Sequence, residues 1–202
     1  MSLDPADMDA LELLTWRVRL ATSAQLDELT GMPRIWRGLL RAGLVEKAGA
    51  VVAVPELDRP LATWAPGQPA PRFSALAWKL VKRRRATPSR RVQVFWATDQ
   101  AIRIVGGIGG RIRQPMQVEH DLGTTAIFLR RRVLAPDDAK RWFSEDIFRW
   151  QNRCVGKVPD ALLNSPSGDS ELAIEFGGAY STGRIRGYHR ACAKKRLPWE
   201  LW

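Results

Sequence analysis

Five prolines fall between residues 55 and 71: Pro55, Pro60, Pro66, Pro69 and Pro71. Each removes a backbone donor and fixes its own φ, so neither a long helix nor a central strand can run through this stretch. The 202-residue chain therefore reads as two unequal parts, a first unit over residues 1–72 and a second over residues 73–202. Pro88, Pro115, Pro136 and Pro166 break the second part again.

Before the proline cluster, the apolar periodicity predicts three helices and a hairpin. Met8, Leu11, Leu14 or Thr15, and Val18 recur at helical spacing over residues 8–20, with Asp4 or Asp7 as the cap. A second helix opens at Thr22-Ser23, carries Leu26 and Leu29 on its apolar stripe, and ends at Gly31. After a turn at Met32-Pro33, a third helix is expected from Arg34 to Ala42, with Ile35, Leu39 and Leu40 inward and Gly43 as its stop. Arg34, Arg37 and Arg41 recur every three or four residues on its other face. Val51–Val54 and Leu61–Trp64 then supply the two arms of a wing. A helix, a Gly-containing turn and a second helix bearing arginines is the arrangement that docks in a DNA major groove. The segment "LLRAGLVEK" resembles the end of the recognition helix and the start of the wing in bacterial winged-helix proteins. Trp36 lies among these arginines and has two readings, stacking on a sugar or packing half-buried against its own fold.

Charge is distributed unevenly. The chain carries a net +11, yet residues 1–75 hold 8 basic and 9 acidic residues. Residues 76–114 hold 10 basic residues against Asp99 alone. The densest run is Lys79, Lys82, Arg83, Arg84 and Arg85, followed by Arg90 and Arg91. Such a stripe suits a polyanion, because each phosphate contact releases condensed counterions. The alternative is a solvated helix face. Residues 92–107 read as a hairpin, Val92, Val94 and Trp96 alternating before a Thr98-Asp99-Gln100 turn and Ile102, Ile104 and Val105 following it. The next stretch, Gly106-Gly107-Ile108-Gly109-Gly110, lacks the Gly-Lys-Ser/Thr ending of a phosphate-binding loop and reads as a turn.

The C-terminal half alternates helix and strand. A helix is expected over residues 116–132, followed by a strand between Trp142 and Trp150. Two short apolar strands over 157–163 and 171–177 each carry a carboxylate, Asp160 and Glu175. A helix bearing Tyr180, Ile185, Tyr188 and Ala191 follows, and "LPWELW" forms a closing strand.

The order helix, strand, "VPDALL", "LAIEFGG", helix, strand resembles the PD-(D/E)xK restriction-endonuclease-like core. With a winged helix ahead of it, an "EHDLG" helix and a "PWELW" ending, the chain resembles the replication-relaxation family of plasmids and other mobile elements. The resemblance implies an α/β (α+β) protein with an N-terminal winged helix-turn-helix and a C-terminal nuclease-like domain. It also implies that Asp160 and Glu175 match the metal-binding acids of active nucleases, with Glu119 as the acid of the first helix. The lysine that positions the attacking water falls at Gly177, which has neither charge nor donor. Lys157, Arg184 and Arg186 are the residues that would have to stand in. Asp160 capping a turn and Glu175 paired with an arginine of the last helix is the alternative role for these acids.

The expected function is DNA binding in the replication, transfer or transcription control of a mobile element, with no cofactor. Arg34, Trp36, Arg37, Arg41, Lys82, Arg83, Arg84, Arg85, Arg90 and Arg91 are the candidate contacts. Duplex DNA is the expected partner, with a homodimer or a partner protein as the further association. One alternative is a metal-dependent endonuclease using Mg2+ held by Asp160 and Glu175, with Glu119 and Lys157 assisting. The other is an antitoxin-like repressor that binds a partner protein. No run of about 18 apolar residues offers a membrane span. The acidic start and the two scattered cysteines, Cys154 and Cys192, fit a reduced cytoplasmic setting.

Overall fold

The computed structural model describes residues 3–108, 117–152 and 158–202. It is a mixed α+β structure of two compact units, and each unit draws on two stretches of chain. One unit comprises Met1–Val52 with Ser89–Leu129, the other Ala53–Pro88 with Arg130–Trp202. The expected division after residue 72 is thus corrected. The chain leaves the first unit after Val52 and returns at Ser89, so the proline-rich stretch belongs to an excursion rather than to a linker.

In the first unit, α1 (Pro5–Glu12) opens on a reciprocal cap. Asp4 accepts from the Asp7 N–H at 2.8 Å, and Asp7 accepts from the Asp4 N–H at 3.3 Å. A π-helical turn, Leu13–Arg17, follows, and Val18 is already extended, so the helix expected to reach residue 20 stops short. After β1 (Ala21–Thr22), α2 (Ser23–Thr30) is capped by Thr22 and Gln25 in the same reciprocal manner. Gly31, at φ 66°, supplies the left-handed residue that ends it. Helix α3 (Trp36–Arg41) comes next, then β2 (Val45–Val52).

The partner of β2 decides the topology. It pairs antiparallel with β4 (Arg90–Ala97) through eight residues, from Val45↔Ala97 to Val52↔Arg90. β1 takes the other edge of β4, with Ala21 opposite Phe95, giving the order β1-β4-β2. The expected wing between 51–54 and 61–64 is not formed. The expected hairpin over 92–107 is also replaced, because both edges of β4 are occupied and no edge remains for a second arm. Residues 99–105 instead form α5 (Asp99–Val105), capped by the Thr98 hydroxyl, which accepts from Ala101 N–H at 3.3 Å. The N-terminal part of α6 (Val118–Leu134) completes this unit. The Thr125 hydroxyl donates to Leu20 O at 2.5 Å, Gln25 donates to Leu122 O at 3.1 Å, and Arg19 pairs with Asp121 at 3.2 Å.

The second unit is a five-stranded sheet. In chain order its strands are β3 (Ala62–Trp64), β5 (Trp142–Ser144), β6 (Ala161–Asn164), β7 (Ser170–Glu175) and β8 (Trp199–Leu201). Their spatial order is β3-β8-β7-β6-β5. β5, β6 and β7 are successively antiparallel; α9 (Thr182–Lys194) then crosses over to β8, which runs parallel to β7. The strand expected through residue 150 stops at Ser144, and residues 145–152 form α8 (Glu145–Asn152). Two acids in its first turn and the Glu145–Arg149 pair at 2.8 Å favour the helix there. The short α7 (Pro136–Lys140) precedes β5, and its Asp138 is paired with both Arg131 and Arg141. Helix α4 (Phe73–Ala86) buries Leu76 and Leu80 in one cluster with Ile185 and Tyr188 of α9 and with Leu162, Ala173, Trp199 and Leu201 of the sheet. Among the described residues, no helix is long and apolar enough to cross a membrane.

Candidate nucleic-acid interface

Arg37 and Arg41 are exposed and stand one turn apart on α3. Arg41 Nε donates to the Arg37 carbonyl at 3.3 Å. Arg34 is exposed too, but it lies in the turn before the helix, which starts two residues later than expected. Its φ is 64°, and its N–H is taken by Asp27 of α2 at 2.8 Å. That bond ties the inter-helix turn to α2 and offsets the cost of a left-handed non-glycine residue. Leu39 and Ile35 are buried, whereas Leu40, expected inward, is half-buried.

Of its two readings, Trp36 takes the packed one. Its ring lies 5.3 Å from Phe95 of β4, and Phe95 is fully buried. Two cations lie over the indole, Arg37 at 5.3 Å and Lys47 of β2 at 6.0 Å. Trp36 is thus a post that fixes α3 to the sheet and gathers positive charge around itself. Lys47 was not among the expected contacts. It is separated from α3 by the Gly43 turn, and its position follows only from the β2–β4 register. Arg91 lies opposite Val51 and Arg90 opposite Val52, at the end of this strand pair, and all three of Arg90, Arg91 and Val51 are exposed.

The basic run divides between the units. Arg90 and Arg91 belong to the first, whereas Lys82, Arg83, Arg84 and Arg85 lie on α4 of the second. Arg83 differs from its neighbours. Its guanidinium lies 5.9 Å from the centre of the Phe176 ring, and burial lowers its pKa. Lys82, Arg84 and Arg85 are exposed, with Lys82 over the indole of Trp78 at 5.2 Å.

The carboxylates present the opposite case. Ala161↔Ile174 is the end pair of β6 and β7, and Asp160 and Glu175 stand just beyond it on adjoining strands. The Asp160 carboxylate accepts from the Phe176 N–H at 2.7 Å, a bridge between strands rather than a turn cap. Glu175 is 2% exposed. It accepts from the Tyr180 hydroxyl at 2.6 Å, and Arg184 donates to that same hydroxyl at 2.9 Å while lying 3.9 Å from the ring centre. Burial, followed by the charge of Glu175, drives the Tyr180 pKa far upward, so the phenol remains a donor. The last helix therefore supplies an arginine to Glu175, relayed through tyrosine. Arg186 points elsewhere, lying 5.8 Å from the Phe73 ring centre.

Gly177 leaves little room for a side chain. A Cβ there would lie 2.5 and 2.8 Å from the two Leu80 methyls and 3.0 Å from the Trp202 carbonyl. One oxygen of each acid is engaged inside the unit, that of Asp160 by a backbone N–H and that of Glu175 by the Tyr180 hydroxyl. Among the described residues, no three His, Cys, Asp or Glu side chains converge as metal ligands. Glu119 belongs to the first unit, whereas Asp160 and Glu175 belong to the second. Lys157 and Cys154 lie outside the described residues, and Cys192 is buried.

No protein-family model, curated protein or solved structure matches this chain.

Proposed function

We propose that this chain binds DNA through α3 and the strand pair beside it, and that its carboxylate-bearing unit is a catalytically silent platform. The observation that carries the reading is the cationic surface around Trp36. Arg37 and Lys47 converge on a ring fixed to Phe95, with exposed Arg34 and Arg41 on either side along the chain. The order helix, β1, α2, α3, β2, β4 and the sheet order β1-β4-β2 support a winged helix-turn-helix reading.

The order β5, β6, β7, α9, β8, with three antiparallel strands and one parallel strand, supports likening the second unit to the PD-(D/E)xK core. The steric closure at Gly177 and the internal bonds of Asp160 and Glu175 weigh against the endonuclease reading. A role in the replication, transfer or transcription of a mobile element is the biological setting we favour, in the cytoplasm and on duplex DNA.

The test is a fluorescence-anisotropy titration on a duplex selected from a random pool by the full-length protein. Arg37→Ala should weaken binding by about 1–3 kcal/mol if Arg37 reads a base. Unchanged affinity would remove α3 from the interface. Cleavage of that duplex with Mg2+ or Mn2+, abolished by Glu175→Gln, would overturn the silent platform.

A further inference from the structure

Helix α4 carries a feature that duplex binding by α3 does not use. Its sequence, FSALAWKLVKRRRA, holds five cations and no acid. One stripe of the helix, Leu76, Leu80 and half-buried Arg83, faces the core and Phe176. The other stripe, at spacings of three, four and seven, is Trp78, Val81, Lys82 and Arg85, and all four are exposed. Trp78 is 62% exposed, and the Lys82 ammonium lies over its ring at 5.2 Å. Lys79 adjoins them and is also exposed.

We infer that this stripe is a binding site for single-stranded nucleic acid, with Trp78 as the stacking platform for an unpaired base and Lys79, Lys82 and Arg85 as the contacts to its backbone. The inference rests on the DNA-binding reading and deepens it by naming the strand state that α4 accepts. An indole face gains most from a base that is not already stacked between neighbours. A helix with five cations and no acid repels cationic partners and favours a polyanion. An exposed tryptophan flanked by cations meets both demands, because the ring stacks on bases of any sequence while the cations follow the phosphates. Lys82 over the ring keeps the indole partly shielded when free, and it can pass to a phosphate when a base arrives.

The experiment compares the full chain with Trp78→Ala, Trp78→Phe and Lys82→Gln/Arg85→Gln. Each is titrated with a labelled oligothymidylate and with a duplex of equal length across a salt series. Trp78→Ala should lower single-strand affinity about tenfold or more, leave duplex affinity within about threefold, and keep the salt slope. Trp78→Phe should restore most of the loss. The Lys82→Gln/Arg85→Gln protein should flatten the single-strand slope by about 0.7 for each phosphate no longer neutralised. Single-strand affinity unchanged in Trp78→Ala, or equal losses on both DNA forms, would overturn the site while leaving duplex binding by α3 intact. So would wild-type binding to phosphatidylserine vesicles that depends on Trp78 when the single strand does not. Failure of the wild type to bind either form of DNA at low salt would overturn the DNA-binding reading itself, and this inference with it.

Discussion

Arg37 on α3 and Glu175 on β7 are both charged and both central to a functional reading, yet the fold uses them in opposite ways. Arg37 is exposed, and its guanidinium rests against Trp36. Exchanging water for phosphate there requires no internal bond to be broken, so the interaction is open to an outside partner. Glu175 is buried, holds the Tyr180 hydroxyl, and through it engages Arg184. A ligand reaching that carboxylate would have to enter a buried, poorly solvated site in which one oxygen is already held by Tyr180. Exposure and commitment, rather than residue type, separate the group able to act on another molecule from the group that holds its own unit together.

The largest effect that would break this contrast lies at Gly177. Gly177→Lys would place a lysine where the proposed likeness to PD-(D/E)xK nucleases expects one, but its Cβ would lie 2.5 Å from a Leu80 methyl and crowd the backbone of Trp202. We expect a loss of about 3 kcal/mol or more in urea denaturation, from overpacking and from burying an ammonium. No metal-dependent cleavage should be gained. A stable Gly177→Lys protein that cuts DNA would mean that the second unit is a nuclease lacking one residue.

A smaller effect is expected at Tyr180. Tyr180→Phe removes the hydroxyl between Glu175 and Arg184 and leaves a buried carboxylate short of one donor. Such a loss is worth about 1.5–3 kcal/mol, readable as a lower urea midpoint with an unchanged slope. A change under about 0.5 kcal/mol would mean that Glu175 does not depend on Tyr180, and the account of a committed acid would weaken.

The smallest effect concerns His189 on α9. Its ring is set edge-on to Trp64 at 4.9 Å, and its Nδ1 accepts from Trp199 Nε1 at 3.3 Å. Burial lowers its pKa. The unfolded chain therefore takes up a proton first. The stability due to neutral His189 is complete above about pH 6.5 and is lost as the pH falls below that value toward the depressed folded pKa. Thermal unfolding of the wild type between about pH 7.5 and 5.5 should show a steeper decline than that of His189→Phe, and equal slopes would remove this contribution.

Much of the N-terminal architecture was legible because its signals are local. Thr22, Gly31 and Gly43 each act within a few residues, and the ends of α2 and α3 lie close to where these residues place them. What was not legible depended on distant partners. Nothing near residue 52 indicates that β2 waits for Arg90, and the alternation in 92–97 is equally that of a hairpin arm or of a strand enclosed on both edges. Asp160 and Glu175 could be named from two short motifs, but their commitment to the Phe176 N–H and Tyr180 follows from how β6, β7 and α9 come together. Arg83, counted with its basic neighbours, turns toward Phe176 because it falls on the same helical stripe as Leu76 and Leu80.

The central claim is that the outward cations bind DNA and the inward acids do not. It is tested most directly by titrating one selected duplex, at one salt concentration, with wild type, Arg37→Ala and Asp160→Asn. The account predicts that Arg37→Ala weakens binding by at least about 1 kcal/mol while Asp160→Asn stays within about 0.5 kcal/mol of wild type. The reverse order, with Asp160→Asn altering affinity and Arg37→Ala leaving it unchanged, would contradict it.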